Sequence, residues 1–415
     1  MTSTIILGAG IIGVSTAYYL SEHQPGSTIH LVDASDKLFS SASGYAGGFL
    51  AKDWFQPSVA SLGALSFEEH RRLAEKHSGR EKWKYAPSTA ITYTQGGKKS
   101  GKGSSADWLM EGSSRAGAAG QSVGNVVDGV TLPFWLKGTE GDAVDALGAA
   151  EGDTAQLDPL LLCQWLLEQC RERGVQIHHP ATAISISKDV RDQLASVRIA
   201  DVGTSTETDI PATRLIIAAG AWSGRVFASL FHNSGVKIPV TSLAGHSLVV
   251  TSPRWKGSPA SEEKLGCHAI FTSGATYSPE IFSRVNGEIY VAGLNSSTIP
   301  LPDVQAGFAK PDPACLSIIE DTAKQLLGED GLEIVKEGLC FRPVTPWGTP
   351  IIARVKEEDL GIGIKTRPGA DGGVFLVTGH GPWGISMSVG TGLVVAELVQ
   401  GRPLSADLSA VGKYH

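Results

Sequence analysis

Cysteine is scarce. The 415 residues hold five, Cys163, Cys170, Cys267, Cys315 and Cys340, and no Cys-x-x-Cys pair. An odd, sparse set excludes a disulfide scaffold and fits a reducing compartment. Long apolar runs are also missing. No stretch of about 18 uninterrupted apolar residues occurs, so no bilayer span is expected. Basic charge is in deficit, with 35 Lys and Arg against 42 Asp and Glu and a net charge of −7. Binding to a phosphate backbone needs a basic footprint, which argues against nucleic-acid and anionic-membrane partners. The H-E-x-x-H spacing of zinc enzymes and the G-x-S-x-G elbow of hydrolases are both absent, and no metal site is expected. The apolar start is broken by glycines and has no basic leader, and the chain ends Gly-Lys-Tyr-His rather than in a peroxisomal Ser-Lys-Leu. A cytoplasmic protein is the expectation.

What the sequence has in excess is glycine, 50 of 415 residues, against a usual ~7%. There is no G-X-Y period, so the excess points to tight turns and close backbone approach to a ligand. Hydrophobic residues at 42% and charged residues at 19% are ordinary for a globular protein. At roughly 100–200 residues per domain, the length suits two or three domains.

Along the chain, Thr4–Leu7 reads as a strand, Val14–Ser21 as a helix and His30–Val32 as a second strand. Lys98–Gly124 is rich in Gly, Ser and Lys without periodicity and reads as a surface insertion. Pro159–Arg173 carries apolar residues at helical spacing behind an Asp158-Pro159 start signal. Strands are expected at 175–177, 183–187 and 214–219, and around a Gly245-His246 turn within 236–250. Asn286-Gly287 marks a hairpin across 281–291. Asp312–Leu327 reads as a helix, Gly373–Val377 as a strand and Val389–Val399 as a last apolar helix.

The first motif with chemistry is Gly8-Ala9-Gly10-Ile11-Ile12-Gly13 between the first strand and helix. The first glycine permits the turn, the second admits a pyrophosphate to the backbone, and the third packs helix on strand. The helix N-terminus offers N–H groups and a positive dipole end to phosphates. Asp33 closes the next strand, at the spacing of an acid that binds a ribose hydroxyl. This unit predicts a dinucleotide site without separating FAD from NAD.

Three more segments separate them: Ser41-Ala42-Ser43-Gly44-Tyr45-Ala46-Gly47-Gly48, Ala218-Ala219-Gly220-Ala221-Trp222-Ser223 and Thr378-Gly379-His380-Gly381-Pro382-Trp383-Gly384-Ile385. In this order the chain resembles the FAD-dependent oxidoreductases of the D-amino-acid oxidase, glycine oxidase and sarcosine oxidase group. The resemblance implies an α/β fold, with a split Rossmann-like FAD-binding domain and a second, antiparallel-sheet substrate domain. The expected limits are 1–55, 150–235 and 338–415 for the first domain, and 56–149 with 236–337 for the second. FAD contacts are implied at Gly8, Gly10, Ile11, Ile12, Gly13, Asp33, Ala34, Ser41, Ser43, Gly47, Gly48, Ala183, Ala219, Gly220, Trp222, Cys340, Gly379, Gly381, Trp383, Gly384 and Ile385. The run Gly361-Ile362-Gly363-Ile364-Lys365-Thr366 lacks a third glycine, so no second nucleotide site is expected.

Cys340-Phe341-Arg342-Pro343-Val344-Thr345-Pro346-Trp347-Gly348-Thr349-Pro350 is similar to the family's R-P-x-x-x-D-G-x-P segment beside flavin and substrate. Arg342 is the candidate anion anchor, because a guanidinium holds a carboxylate through parallel bonds; a structural ion pair is the other role open to it. Trp347 stands where the family has Asp, and Trp383 where a small residue is common, both suggesting an apolar pocket. His380 matches a position near the flavin, and His246 lies in a segment that resembles an active-site loop. In the sarcosine oxidase branch a cysteine in the register of Cys340 is bonded to the flavin; a small buried residue is the alternative. The implied reaction is oxidation of a C–N bond in an amino acid or a secondary or cyclic amine, with dioxygen as acceptor. Two alternatives stay open, a flavin dehydrogenase with another acceptor and a flavin-binding interaction protein with little catalysis.

Overall fold

The computed structural model describes residues 2–97, 131–147, 152–258, 267–273, 277–303 and 310–415. The expected Lys98–Gly124 insertion lies outside them. In chain order the first elements are β1 (Thr4–Leu7), α1 (Ile11–Leu20), β2 (Ile29–Val32), α2 (Ala42–Tyr45), β3 (Phe49–Ala51), α3 (Ala60–His77) and α4 (Gly79–Lys82). There follow β4 (Ala86–Thr94), β5 (Ala143–Leu147), β6 (Thr154–Gln156), α5 (Pro159–Glu172), β7 (Gln176–His178), β8 (Ala181–Lys188), β9 (Leu194–Asp201), β10 (Glu207–Pro211), β11 (Arg214–Ile217) and α6 (Ser223–Leu230). The last are β12 (Thr241–Thr251), β13 (Cys267–Ser273), β14 (Glu280–Ser283), β15 (Glu288–Ser296), α7 (Pro313–Leu327), β16 (Glu333–Val344), β17 (Ile351–Arg354), β18 (Gly373–Thr378) and α8 (Ser388–Gln400).

The fold is mixed α/β. A six-stranded sheet has the order β17-β18-β11-β1-β2-β7, parallel except for β17. Its central strands are buried on both faces, which is why Thr4–Leu7 and Arg214–Ile217 read as continuous rather than alternating runs. α1 is buried nearly all round, and it packs with α3, α5 and α8 in the largest core cluster. The opposite face is covered by α6 and the antiparallel meander β8-β9-β10.

The second sheet has the order β16-β12-β15-β14-β13-β4-β6-β3, with β5 beside β4. α7 packs on one face with Trp135, Trp255 and the outward side chains of β12 and β15. Helices α5 and α7 begin as their sequences imply. Asp158 accepts the Leu161 N–H at 3.0 Å and Asp312 the Ala314 N–H at 2.9 Å, each followed by proline. The Asn286-Gly287 hairpin forms, with the Gly287 N–H donating to the Arg284 carbonyl at 3.1 Å.

Three expectations change. Gly245 and His246 do not turn: β12 runs straight through them with a register shift against β15, because β15 and β16 pair along both its edges. Phe49–Ala51, Thr154–Gln156 and Gly338–Val344, placed by expectation in the FAD-binding domain, are strands of the second sheet, which is antiparallel except where β4 and β13 pair in parallel. Helix α3, expected in the substrate domain, packs against α8; the Gly390 N–H donates to Ser66 Oγ at 3.1 Å.

Burial holds several imidazoles neutral. It pushes His30, His70, His268 and His380 down to about 4, with the neighbouring His178 adding to the effect at His30. Each stays unprotonated in the fold below the pH at which an unfolded histidine, at ~6.5, takes up a proton. Their stability contribution is therefore complete above pH ~6.5 and lost as pH falls towards 4. A denaturant midpoint that declines steadily from pH 7 to pH 4, and levels out above 7, is the expected profile. A flat profile across that window would contradict the buried neutral assignment.

Candidate active site

β1 and β11 lie in register, so Leu7 and Ile217 end side by side. Gly8 then turns with φ +107°, and a Cβ there would come within 2.8 Å of the Ala219 Cα. Only glycine permits both that backbone angle and that approach. Gly10 caps the start of α1, and its neighbour Ile11 donates its N–H to Ser43 Oγ at 2.9 Å. Asp33 Oδ2 accepts the Ala9 N–H at 2.7 Å, and Oδ1 accepts the Ser35 N–H at 3.0 Å. The acid thus braces the glycine turn while facing the same cavity.

That cavity measures about 630 Å³ and runs from the glycine turn to the antiparallel sheet. Of the expected FAD contacts, Gly8, Gly10, Ile11, Ile12, Asp33, Ala34, Ser41, Ser43, Gly47, Gly48, Ala183, Ala219, Gly220, Trp222, Cys340, Gly381, Gly384 and Ile385 line it. Gly13, Gly379 and Trp383 do not. Gly13 lies against the Gly8 carbonyl, closing helix on strand. Trp383 packs edge-on to Phe55, with ring centroids 4.9 Å apart, so it is no cavity wall. Trp347 is also absent from the walls. It packs on the core beneath the parallel sheet, with Lys413 over its ring at 4.9 Å, and the apolar pocket expected from these tryptophans is not built by them.

The glycine-rich segment after β2 is tied from both sides. Lys336 Nζ donates to the Gly44 carbonyl at 2.8 Å, and Ser41 Oγ accepts the Phe341 N–H at 3.3 Å. A stretch of 299–303 reaches over from the antiparallel sheet. Trp222 Nε1 and Arg225 Nη1 donate to the Pro302 carbonyl at 2.8 and 3.1 Å.

At the far end Cys340 and Arg342 project from the same face of β16 into the cavity. Arg342 Nη1 donates to Asn295 Oδ1 at 2.7 Å. The guanidinium lies over Gly245 so closely that a Cβ there would stand 2.7 Å from Cζ. The glycine expected to make a turn instead makes room within a strand. Burial draws the Arg342 pKa down, yet Cys340, Tyr290 and Glu280 together hold it above its ordinary value. Burial pushes Tyr290 up to about 12. Its ring stacks on Phe282 at 5.8 Å and 7°.

The two histidines part company. His380 lines the cavity with Nε2 3.1 Å from Thr391 Oγ1, and its burial keeps it neutral. His246 is buried outside the cavity wall. Its Nε2 accepts the Asp312 N–H at 3.1 Å, so it fastens the start of α7 rather than a ligand. Sequence reasoning missed Glu280, Phe282, Tyr290 and Asn295, which reach the site from the hairpin strands. The alternation of β14 puts Glu280 and Phe282 on one face, but nothing local says which face meets the cofactor.

The fit to FAD is good on this geometry. A glycine cradle opens onto a helix N-terminus, an acid stands at the end of β2, and a largely apolar cavity leads to a cationic side chain. Replacing Gly10 with valine puts a branched side chain where a Cβ already meets Ser43 Oγ at 3.1 Å. The variant should purify with intact secondary structure and little or no yellow colour; full flavin occupancy would misplace the phosphate cradle.

Comparison with known proteins follows the same outline. The family model described as "FAD dependent oxidoreductase" matches residues 3–398. A protein of Schizosaccharomyces pombe with the provisional name of an oxidoreductase is 24% identical over 97% of this chain and 96% of its own. D-amino acid dehydrogenase of Paramagnetospirillum magneticum is 27% identical over 52% of this chain and 43% of its own length. Glycine oxidase from Geobacillus kaustophilus superposes with a TM-score of 0.70 at 18% identity, covering 99% of this chain and 97% of that one. Among the described residues no helix is long and apolar enough to cross a membrane. With the cradle, the channel and a match that spans almost its whole length, this chain belongs to the FAD-dependent oxidoreductase family of D-amino-acid oxidase type.

Proposed function

We propose that the protein oxidises the C–N bond of an amino acid, or of a secondary or cyclic amine bearing a carboxylate, to an imine. The observation that carries this reading is Arg342, a guanidinium clamped by Asn295 in the cavity that continues from the cofactor cradle. Bound FAD would supply the redox chemistry by accepting the hydride. The chain's part is placement. Arg342 takes the substrate carboxylate through its remaining N–H groups, Asn295 prevents the guanidinium from turning away, and Phe282, Tyr290 and Phe341 keep water from the walls. His380, neutral, stands as a polar group without added charge.

Dioxygen is the proposed acceptor, supported by the absence of a second glycine fingerprint in the sequence. The dehydrogenase name of one relative favours a second reading, in which electrons pass to another acceptor. Anaerobic mixing with a panel of amino acids and amines tests both. Bleaching of the flavin supports the enzyme, and rapid recolouring in air selects the oxidase over the dehydrogenase. No bleaching with any amine would remove the proposal.

Arg342→Ala should lower kcat/KM on an amino acid about 30- to 4,000-fold, the equivalent of ~2–5 kcal/mol for a carboxylate left without its partner. The decarboxylated amine should be affected far less, and Arg342→Lys should restore only part because an ammonium lacks the planar fork. Equal losses on both substrates would refute the anchor.

Cys340 is 3% exposed and lines the cavity. We read it as a small buried residue beside the cofactor. Acid precipitation should leave the yellow colour in the supernatant, whereas a yellow protein pellet would establish a covalent link.

A further inference from the structure

We propose that Glu280 sets the charge of the substrate: it receives the ammonium of an amino acid whose carboxylate Arg342 holds, so that the cavity selects a zwitterion over a simple carboxylate. The inference deepens the amine-oxidation reading and rests on it for the identity of the site.

Strand register puts the two charges on one face. Glu280 opens β14 and stands opposite Phe271 of β13 and Ala292 of β15. The residue before it is pinned, because the Thr272 N–H and hydroxyl both donate to the Pro279 carbonyl, at 3.1 and 2.9 Å. Arg342 lies three strands away on β16. Its guanidinium crosses over Gly245 of β12 to reach Asn295 of β15. Gly245 pairs with Asn295 and Ser247 with Ala292, so an advance of two residues on β12 matches three on β15. The extra residue is a bulge, and it brings Asn295 to the same face as Ala292. Strict alternation would send Asn295 to the opposite face. From strand spacing and rise, the Glu280 and Asn295 backbones stand roughly 8–11 Å apart. Their side chains and a small zwitterion span that gap.

The electrostatics agree with this geometry. Glu280 and Arg342 both line the cavity. Burial draws the Arg342 pKa down, and Glu280 stands with Cys340 and Tyr290 among the groups that raise it. Tyr290 lies between the two charges, opposite Phe282 on the face that carries Glu280. Burial pushes it up to about 12, and Arg342 and Glu280 act on it in opposite senses. Asp33 serves the other end of the cavity, where the Ala9 and Ser35 N–H groups engage it. A lone cation at the end of an apolar cavity would accept any carboxylate. A carboxylate on the same face disfavours a second anion and favours a cation beside it. Desolvating both charges costs least when the ligand brings a partner for each.

The test uses the FAD-loaded protein and calorimetric titration with two probes of one shape, α-aminoisobutyrate and isobutyrate, which lacks the amine. α-Aminoisobutyrate has no hydrogen on its α-carbon, so it cannot give up a hydride and its binding is read without turnover. The wild type should bind it more tightly than isobutyrate. Glu280→Gln should weaken α-aminoisobutyrate about tenfold or more. Isobutyrate should bind that variant unchanged or tighter, because one negative charge has gone from the neighbourhood of Arg342. Glu280→Asp keeps the charge at shorter reach and should fall between the two; it also serves if the glutamine variant loads too little flavin. Equal weakening of both probes, the mark of a structural counter-ion, would overturn the inference. So would unchanged affinities, or a wild type that prefers isobutyrate. Failure of the amine-oxidation reading looks different: no amino acid bleaches the wild-type flavin, while the two probes keep their order.

Discussion

The contact on which the rest depends is the close packing of two strand ends that lie far apart in the chain. The Ala218 N–H donates to the Leu7 carbonyl at 2.8 Å, and the Gly8 N–H donates to the Val32 carbonyl at 2.8 Å. A side chain at Gly8 would force these strands apart, because its Cβ would lie 2.8 Å from the Ala218 carbonyl carbon. From this junction the helix start, the acid at Asp33 and the segment Ala218–Trp222 all take their places around one cavity. The C-terminal segment joins it when Thr378 Oγ1 donates to the Gly220 carbonyl at 2.8 Å.

The antiparallel sheet contributes charge where the parallel sheet contributes backbone. A guanidinium facing an apolar channel has to be held by neighbours, or it turns towards water. Asn295 holds it from β15, Gly245 leaves room for it on β12, and Tyr290 and Glu280 supply electrostatic support from the hairpin strands. Three adjacent strands thus converge on one side chain. The two halves are joined by Lys336, which leaves β16 to bond the Gly44 carbonyl and covers the Tyr45 ring at 4.4 Å.

Much of this was legible from local pattern. The proline-led helices behind Asp158 and Asp312 and the Asn286-Gly287 hairpin rest on interactions within a few residues, and the glycine fingerprint was legible from its spacing to Asp33, which meets the Ala9 N–H 24 residues away. The tryptophan substitutions misled. Trp347 and Trp383 occupy notable sequence positions, but a large apolar side chain goes to whichever core has space, and neither lines the cavity. Gly245 misled in the opposite sense, since a glycine that relieves a contact with Arg342 looks the same in sequence as one that makes a turn.

Sequence by itself determined the cofactor family and the order of the segments that build its cradle, because each motif is a short run of residues that stands intact even though the four lie far apart in the chain. Tertiary structure alone decided which charged groups meet. Arg342 and Asn295 are 47 residues apart, and Arg214 and Gln24 are 190 apart. His246 was decided in the same way, becoming a fastener for α7 through a bond across 66 residues. Such pairings follow from strand register and sheet order, and these are settled by packing of the whole chain rather than by any one segment.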